Sequence, residues 1–422
     1  MAVTSTTTLT AAMQTYYDNV FLSYYKEQIP VMKQGQNRPI PKNAGKTIDF
    51  FRYHPYALVT ASGTEGTVGT EVSTIGVNKT ASIAVWKNYT KITEFLRLTS
   101  RDKNLENIVE LMAQNCADSL EWETQRQIAL YGATYVRSDC NNTYQFQLTC
   151  GGDVSNSATT TVAAGAYDTF CATDDLLIGG VITFRKGFGY GQSRLISDFT
   201  ATAGVVTWET ALDETLRKPG ADTGTAVISA WHCGWSGDAL QLAARLTQGF
   251  QARGVYKAVE LLEEAGAPKF SDGFYHGVID PKCKNQFMQD SDVLLYMQSS
   301  RPAKLENRQI GEYSNVMWYM STMPVRLGAN AWTSYANATW LRRSDGKYYV
   351  TWVFGKNAFG VVDLTGRRKK IIVKTPGPQS ISVPTDEYST VGWKSYFAVV
   401  PLNATYAVAI VSRQGAVAAG DA

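Results

Sequence analysis

The stretch TSRDKNLENIVELMAQNCADSLEWETQRQIALYGA, residues 99–133, constrains the fold of this chain more than any other. Leu105, Ile108, Val109, Met112, Cys116 and Leu120 recur at helical spacing, with Glu, Gln, Asn and Asp between them, so one apolar stripe runs down a single face. Thr99 and Asp102 are start signals and Gly132 is a stop. About thirty residues at ~1.5 Å each make a rod of roughly 45 Å. A rod that long with one narrow stripe predicts a spine laid along a larger body.

The segments around the rod read as strands, which makes the chain α+β. Upstream, GKTIDFFRYHPY gives a strand at residues 47–53. The apolar pattern then dissolves into a Gly, Thr and Ser excursion over about residues 57–84, and ASIAVWKNYTKITEFLRL (81–98) reads as one long returning strand. Residues 1–44 are Thr-rich, then amphipathic, then broken by Pro30, Pro39 and Pro41, which predicts an extended arm carrying one helix. Downstream, residues 136–235 hold short β-type runs separated by Gly, Asn, Asp, Ser and Thr, as expected of a small inserted all-β domain. Two helices follow, GDALQLAARLTQGFQA and GVYKAVELLEEAG, then FYHGVIDPKCKNQFM as a strand, a Pro turn and a helix start, and finally strands and turns to residue 422.

With 422 residues the chain exceeds the ~250–300 at which one core stops growing, so two to four cooperating units are expected. Only 18% of residues are charged, and ten Trp and 23 Tyr accompany them, a hint of burial against other subunits. The net charge of +3 is dispersed, which argues against sequence-specific nucleic-acid recognition. The densest basic cluster, GRRKK at residues 366–370, reads as a turn entering a strand, with phosphate binding as the other reading. The N-terminus lacks the pattern of a signal peptide and no apolar run reaches the ~18 residues of a membrane span, so a soluble chain is expected and the NYT triplet at Asn88 is not read as a glycosylation site.

Six cysteines, at 116, 140, 150, 171, 233 and 283, form no Cys-x-x-Cys pair and read as free thiols, although Cys140 and Cys150 could pair across a hairpin. His54, His232 and His276 have no partner at metal-ligand spacing and read as packed or surface residues. KGFGYGQSR, from Lys186, fits neither phosphate-loop pattern and reads as a glycine-rich β-turn. No nucleophile elbow and no His-Glu-x-x-His occurs. Neither an enzyme nor a cofactor or metal is expected.

The order of elements (arm, strand, glycine-rich loop, returning strand, spine helix, mixed domain, final strand) resembles the Hong Kong 97 fold of tailed-phage major capsid proteins. GKTIDFFRYHPY with TEGT, YTKITEFLRLTSRD, GFYHGVIDP, IGEYSNVMWYMS, VFGKNAFGVVDL and VGWKSYFAVVPLN, in that order between residues 45 and 410, are similar to the capsid family of coliphage N-four. The insertion near 136–228 departs from that pattern; its GFGYGQSRLISDF resembles a β-module of other phage structural proteins.

The resemblance implies an arm (1–44), a peripheral domain (45–135) with an extended loop over a neighbouring subunit (57–84) and a spine (102–132), the inserted domain (136–235), an axial domain (236–390) and a closing strand and tail (391–422). It implies assembly contacts at Glu65, Gly66, Lys79, Lys87, Trp393 and Lys394. Further implications are homo-oligomeric capsomers, scaffolding, portal and decoration proteins as partners, and packaged double-stranded DNA held by non-specific contact. The chain would sit in the virion shell, and in the host cytoplasm before assembly, without membrane contact. Some relatives cross-link through a loop lysine, but no partner Asn or catalytic Glu is identifiable for Lys79 or Lys87. Two other functions compete: a surface- or carbohydrate-binding module contacting ligand through Tyr144, Phe146, Phe188 and Tyr190, and a hydrolase with scattered carboxylates.

Overall fold

A computed structural model of the chain describes residues 21, 24–25, 29–53, 65–66, 76–93, 95–96, 104–138, 146–149, 159–161, 181–184, 191–200, 205–210, 225–229, 249–293, 309–323, 326–327, 341–342, 348–364, 370–374 and 388–413. The chain runs through β1 (Gln36–Asn37), β2 (Thr47–Tyr53), β3 (Gly76–Ser82), β4 (Ala84–Thr93), α1 (Asn104–Tyr131) and β5 (Thr134–Arg137). It continues through β6 (Phe146–Thr149), β7 (Thr159–Thr161), β8 (Val181–Phe184), β9 (Ser193–Thr200), β10 (Val205–Trp208) and β11 (Thr225–Ser229). There follow α2 (Ala252–Glu264), β12 (Tyr275–Ile279), α3 (Pro281–Met288), β13 (Gln309–Tyr313), β14 (Val316–Met320), β15 (Arg326–Leu327) and β16 (Leu341–Arg342). The last strands are β17 (Tyr348–Phe354), β18 (Phe359–Asp363), β19 (Lys370–Lys374), β20 (Tyr388–Pro401) and β21 (Ala407–Arg413).

β20 organises one sheet. Its fourteen residues pair antiparallel with β4 along one side, and with β19 and β18 end to end along the other; β1 adds parallel to β18. Side chains alternate faces along a strand, so Val391, Trp393 and Phe397 point inward and join Val109, Ala113, Cys116, Ala117 and Leu120 of α1 in one core. A polar fastening crosses the joint: Asn115 Oδ1 accepts from Asn88 Nδ2 of β4 and from Trp393 Nε1 of β20, both at 3.0 Å.

A second sheet runs β13-β14-β12-β17-β15-β16, with β21 on the other side of β17 and β5 parallel beyond β21. α2 covers its β21–β5 edge with Val255, Ala258, Val259, Leu261 and Leu262. Asp280 caps α3 by accepting from Lys282 N at 2.7 Å, and Pro281 occupies the first turn, where a missing N–H costs nothing. A third sheet, β6-β11-β8-β9-β10-β7, uses only strands between residues 146 and 229. Gly191, at φ 79°, leads into β9, to which Ser193 and Arg194 at the end of KGFGYGQSR already belong; residues 186–190 of that stretch lie outside the described residues.

Several expectations need correction. The returning strand is two strands broken at Ile83: β3 pairs with β2 in a separate two-stranded sheet, and β4 pairs with β20. The expected division at residue 390 cuts across hydrogen bonding, because β18 and β19 pair with β20 whereas β21 pairs with β17 in the second sheet. The described part of the arm packs on its own subunit, with Phe21, Tyr25, Ile29 and Val31 buried in the core of α1. Nor does α1 keep a single stripe: from Leu120 to Leu130 it is enclosed nearly all round, and Glu121, Glu123, Thr124 and Gln125 are buried with it. The strand expected over residues 47–53, the helix over 102–132 and the Pro-turn helix start after residue 279 lie where the pattern placed them.

Two substitutions test this packing. Asn115→Ala leaves the Trp393 and Asn88 donors without their shared acceptor and should lower the unfolding free energy by about 1–3 kcal/mol in urea titration. Gly392→Ala should destabilise as well, since a Cβ there would stand 2.7 Å from the Tyr89 Cβ and 2.8 Å from the Asn88 carbonyl oxygen. The overpacking cost expected is about 1–3 kcal/mol, read as a fall in Tm.

Candidate assembly surfaces

The inner face of the β20 sheet belongs to α1; its outer face is divided. At the β18 end, β2 and β3 cover it, with Phe50, Ile40, Ala81 and Val362 forming a small core and the Phe50 ring resting where Gly360 has no side chain. Phe51, one residue on, points away and is 63% exposed. The rest of the outer face has no cover among the described residues. Val85, Lys87, Tyr89, Lys91 and Thr93 of β4 lie opposite Tyr396, Lys394, Gly392, Thr390 and Tyr388 of β20, and Ile372 and Lys374 of β19 continue the rows. Tyr89 is 64% exposed and Tyr388 41%.

Charge on this area has one sign. Lys87 sits directly across from Lys394, Lys91 and Lys374 flank Thr390, and no carboxylate stands at any of these positions. Lys394 lies over the Tyr396 ring at 4.9 Å and Lys91 over Tyr388 at 5.9 Å, so the rings take up part of the cationic field. Like charges directly across a ladder are unfavourable, by some tenths of a kcal/mol to about 1. The arrangement therefore suits contact with an acidic partner. β4 is also an edge strand among the described residues, and its lysines are the usual guard against indiscriminate edge pairing.

The six residues expected at assembly contacts separate. Glu65 and Gly66 form an exposed turn, with Gly66 at φ 85°. Lys79 is on β3, opposite Phe50. Lys87 and Lys394 are brought together. Trp393 is a correction: it is 4% exposed and donates to Asn115, so it holds the sheet to the helix and offers nothing to a neighbour. Sequence reasoning missed Tyr89, Lys91, Lys374 and Tyr388; the period-2 alternation of β4 and β20 is the signal that would have found them.

Elsewhere, His276 is a packed residue, stacked on Phe270 at 3.9 Å between ring centroids. Cys116 and Cys283 are buried and outside any disulfide, with the Cys283 sulfur 3.3 Å from the Ser412 hydroxyl. His54, His232, Cys140, Cys150, Cys171, Cys233, Tyr144, Phe188 and Tyr190 lie outside the described residues, as does the side chain of Phe146. Among the described residues no group of three or more His, Cys, Asp or Glu could hold a metal ion, and no helix is long and apolar enough to cross a membrane.

No protein-family profile matches the chain and no curated protein does. Among solved structures, the capsid of cyanophage P-SCSP1u is similar at 11% identity, with 92% of this chain and 89% of that chain covered and a TM-score of 0.45. The capsid of Ralstonia phage GP4 is similar at 11% identity, 92% and 90% coverage and a TM-score of 0.45. A virus-like particle from Pyrococcus furiosus is similar at 8% identity, 94% and 99% coverage and a TM-score of 0.41.

Proposed function

We propose that this chain is the major subunit of an icosahedral tailed-phage head, assembling through pentamers and hexamers into a shell around double-stranded DNA. The sequence likeness to the coliphage N-four capsid family and the Hong Kong 97-like order of elements support the reading. Residues 45–135, with β18, β19 and β20, then serve as the peripheral domain, the rest of 236–390 as the axial domain, and the strands of 146–229 as an inserted domain. Scaffolding, portal and decoration proteins are its partners, the virion shell its place, and no catalytic role is assigned.

The observation that carries the reading is the half-covered outer face of the β20 sheet. The hairpin β2–β3 closes one end of that face within its own subunit, and the other end is left basic and aromatic. The segment that joins the hairpin strands, residues 54–75, contains Glu65 and Glu71 and neither Lys nor Arg. A neighbour's segment of that composition complements the open lysine rows, and its apolar residues suit Val85, Tyr89 and Ile372. Many such contacts of modest strength hold a closed shell, because a subunit released by one neighbour is retained by the others.

The test is electron microscopy and light scattering of the full chain expressed with the scaffold encoded beside it. Closed shells or sheets of hexamers are expected; a chain that stays monomeric with scaffold supplied would end the capsid reading. Lys87→Glu should act in opposite directions on fold and assembly. It replaces a like pair with an opposite one across from Lys394, raising the unfolding free energy of the unassembled chain by about 0.2–1 kcal/mol. Particle yield should fall, and Glu65→Lys with Glu71→Lys should restore part of it. Unchanged yield in Lys87→Glu would detach the lysine rows from assembly.

A further inference from the structure

The lysines on the open part of the β20 sheet fall into two rows with an aromatic row between them. Lys87 of β4 and Lys394 of β20 stand directly across from one another, and β19 places Lys370 at the next register position; two strand spacings of ~4.8 Å separate the ends of that row. Along the strands, at ~3.4 Å per residue, the row of Lys91, Thr390 and Lys374 lies roughly 14 Å away. Midway run Tyr89, Gly392 and Ile372. Tyr89 is the most exposed tyrosine of the face, and it stands beside a residue without a side chain: a Cβ on Gly392 would come 2.7 Å from the Tyr89 Cβ. Lys91 lies over Tyr388 and Lys394 over Tyr396, two rings placed outside the pair of rows, so these ammonium groups lean away from Tyr89.

The charge exceeds what a neighbour's 54–75 segment can answer. That segment brings two carboxylates, Glu65 and Glu71, to Lys87, Lys91, Lys374 and Lys394, with Lys370 alongside.

We propose that this face binds single-stranded nucleic acid without regard to sequence, the phosphates lying on the two lysine rows and a base stacking on Tyr89.

Two properties of the face select that ligand. A phosphodiester chain carries one negative charge per nucleotide in a continuous line, which parallel rows of cations on a flat sheet can follow, whereas a pair of isolated carboxylates cannot. The bases of a single strand are free to stack on an exposed ring, and outward aromatics between cations on a sheet are a platform of that kind. In a duplex the bases are already stacked on one another, and Tyr89 would gain nothing. Phosphate contact and stacking carry no sequence information, in keeping with a net charge of only +3 spread along the chain. None of this requires an assembled shell: every group belongs to one subunit, and a neighbour seated on the same face would compete with the strand.

Fluorescence anisotropy of a labelled oligothymidylate with the full, unassembled chain is the test. Four phosphate contacts at ~0.7 each give a salt slope near −3, so affinity should fall about 50-fold between roughly 50 and 200 mM salt. Lys91→Ala should reduce that slope by about 0.7. Tyr89→Ala should weaken binding at least about fivefold with the slope unchanged, and Tyr89→Phe, which keeps the ring, should bind like the wild type. Absence of binding by the wild-type chain at about 50 mM salt overturns the proposal without recourse to any variant. A duplex of equal length that binds as tightly overturns it too, and so does binding left intact by Lys87→Glu with Lys374→Glu. Shells built by a chain that ignores the oligonucleotide would sink this proposal and spare the capsid reading; binding by a chain that never assembles would do the reverse.

Discussion

A helix enclosed on nearly every side can carry polar residues only if each finds a partner, and the second half of α1 meets that condition. Glu121 is answered by the Val31 and Met32 N–H groups, Gln125 by the Met323 carbonyl and the Trp352 indole, and Thr124 by the Leu120 carbonyl. Glu123 is held by Arg126 in a two-point ion pair and by Gln127. Each bond reaches a different element or turns back on the helix, so α1 specifies who its neighbours are. Leaving any of these buried groups unmet would cost about 1–3 kcal/mol, more for a charge.

The two large sheets depend on α1 and also on a strand exchange. Between β20 and β21 the chain leaves one sheet for the other across a few residues. There the Leu402 and Asn403 N–H groups donate to the Ala358 carbonyl, and the Asn403 side chain accepts from the Thr405 N–H. The Ala404 N–H donates to Gly191 of the β8–β9 turn, so the third sheet is tied to this crossover too. Trp352 and Phe354 of β17 meet Phe359 of β18 in the same core as α1. The two large sheets are thereby knit by one core and one crossover.

How much of this was legible in the sequence follows the range of the interaction that decides each element. β2, α1 and the Asp280–Pro281 helix start are written in local spacing, capping and φ restriction, and they lie where those signals put them. The break at Ile83 was hidden because residues 76–93 keep one strand-like composition while the partner changes from β2 to β20, a long-range choice. Enclosure of Glu121, Glu123 and Gln125 was hidden for the same reason: polar residues between apolar ones predict a solvated face unless the distant partners are known. Trp393 is a different kind of miss. In a strand, Trp393 and Lys394 must face opposite ways, so grouping both in one contact disregarded a rule the sequence carries. The seating of Met32 and Gln34 left no signature, since their partners Glu121 and His276 sit about ninety and 240 residues away.

The single residue between β3 and β4 has a mechanical consequence. Ile83 is the whole connection between a hairpin lying on the outer face and the strand β4 hydrogen-bonded to β20, and its own N–H is held by the Lys46 carbonyl. Tension drawn along the hairpin toward β4 enters that strand at Ala84 and is shared by the ladder from Ala84–Phe397 to Thr93–Tyr388. Bonds loaded together in shear yield together, whereas bonds peeled from one end yield one at a time. A pull along this line therefore meets the ladder's summed strength and passes through β20 and Asn115 into the long helix, which makes the hairpin a lever on a stiff mount.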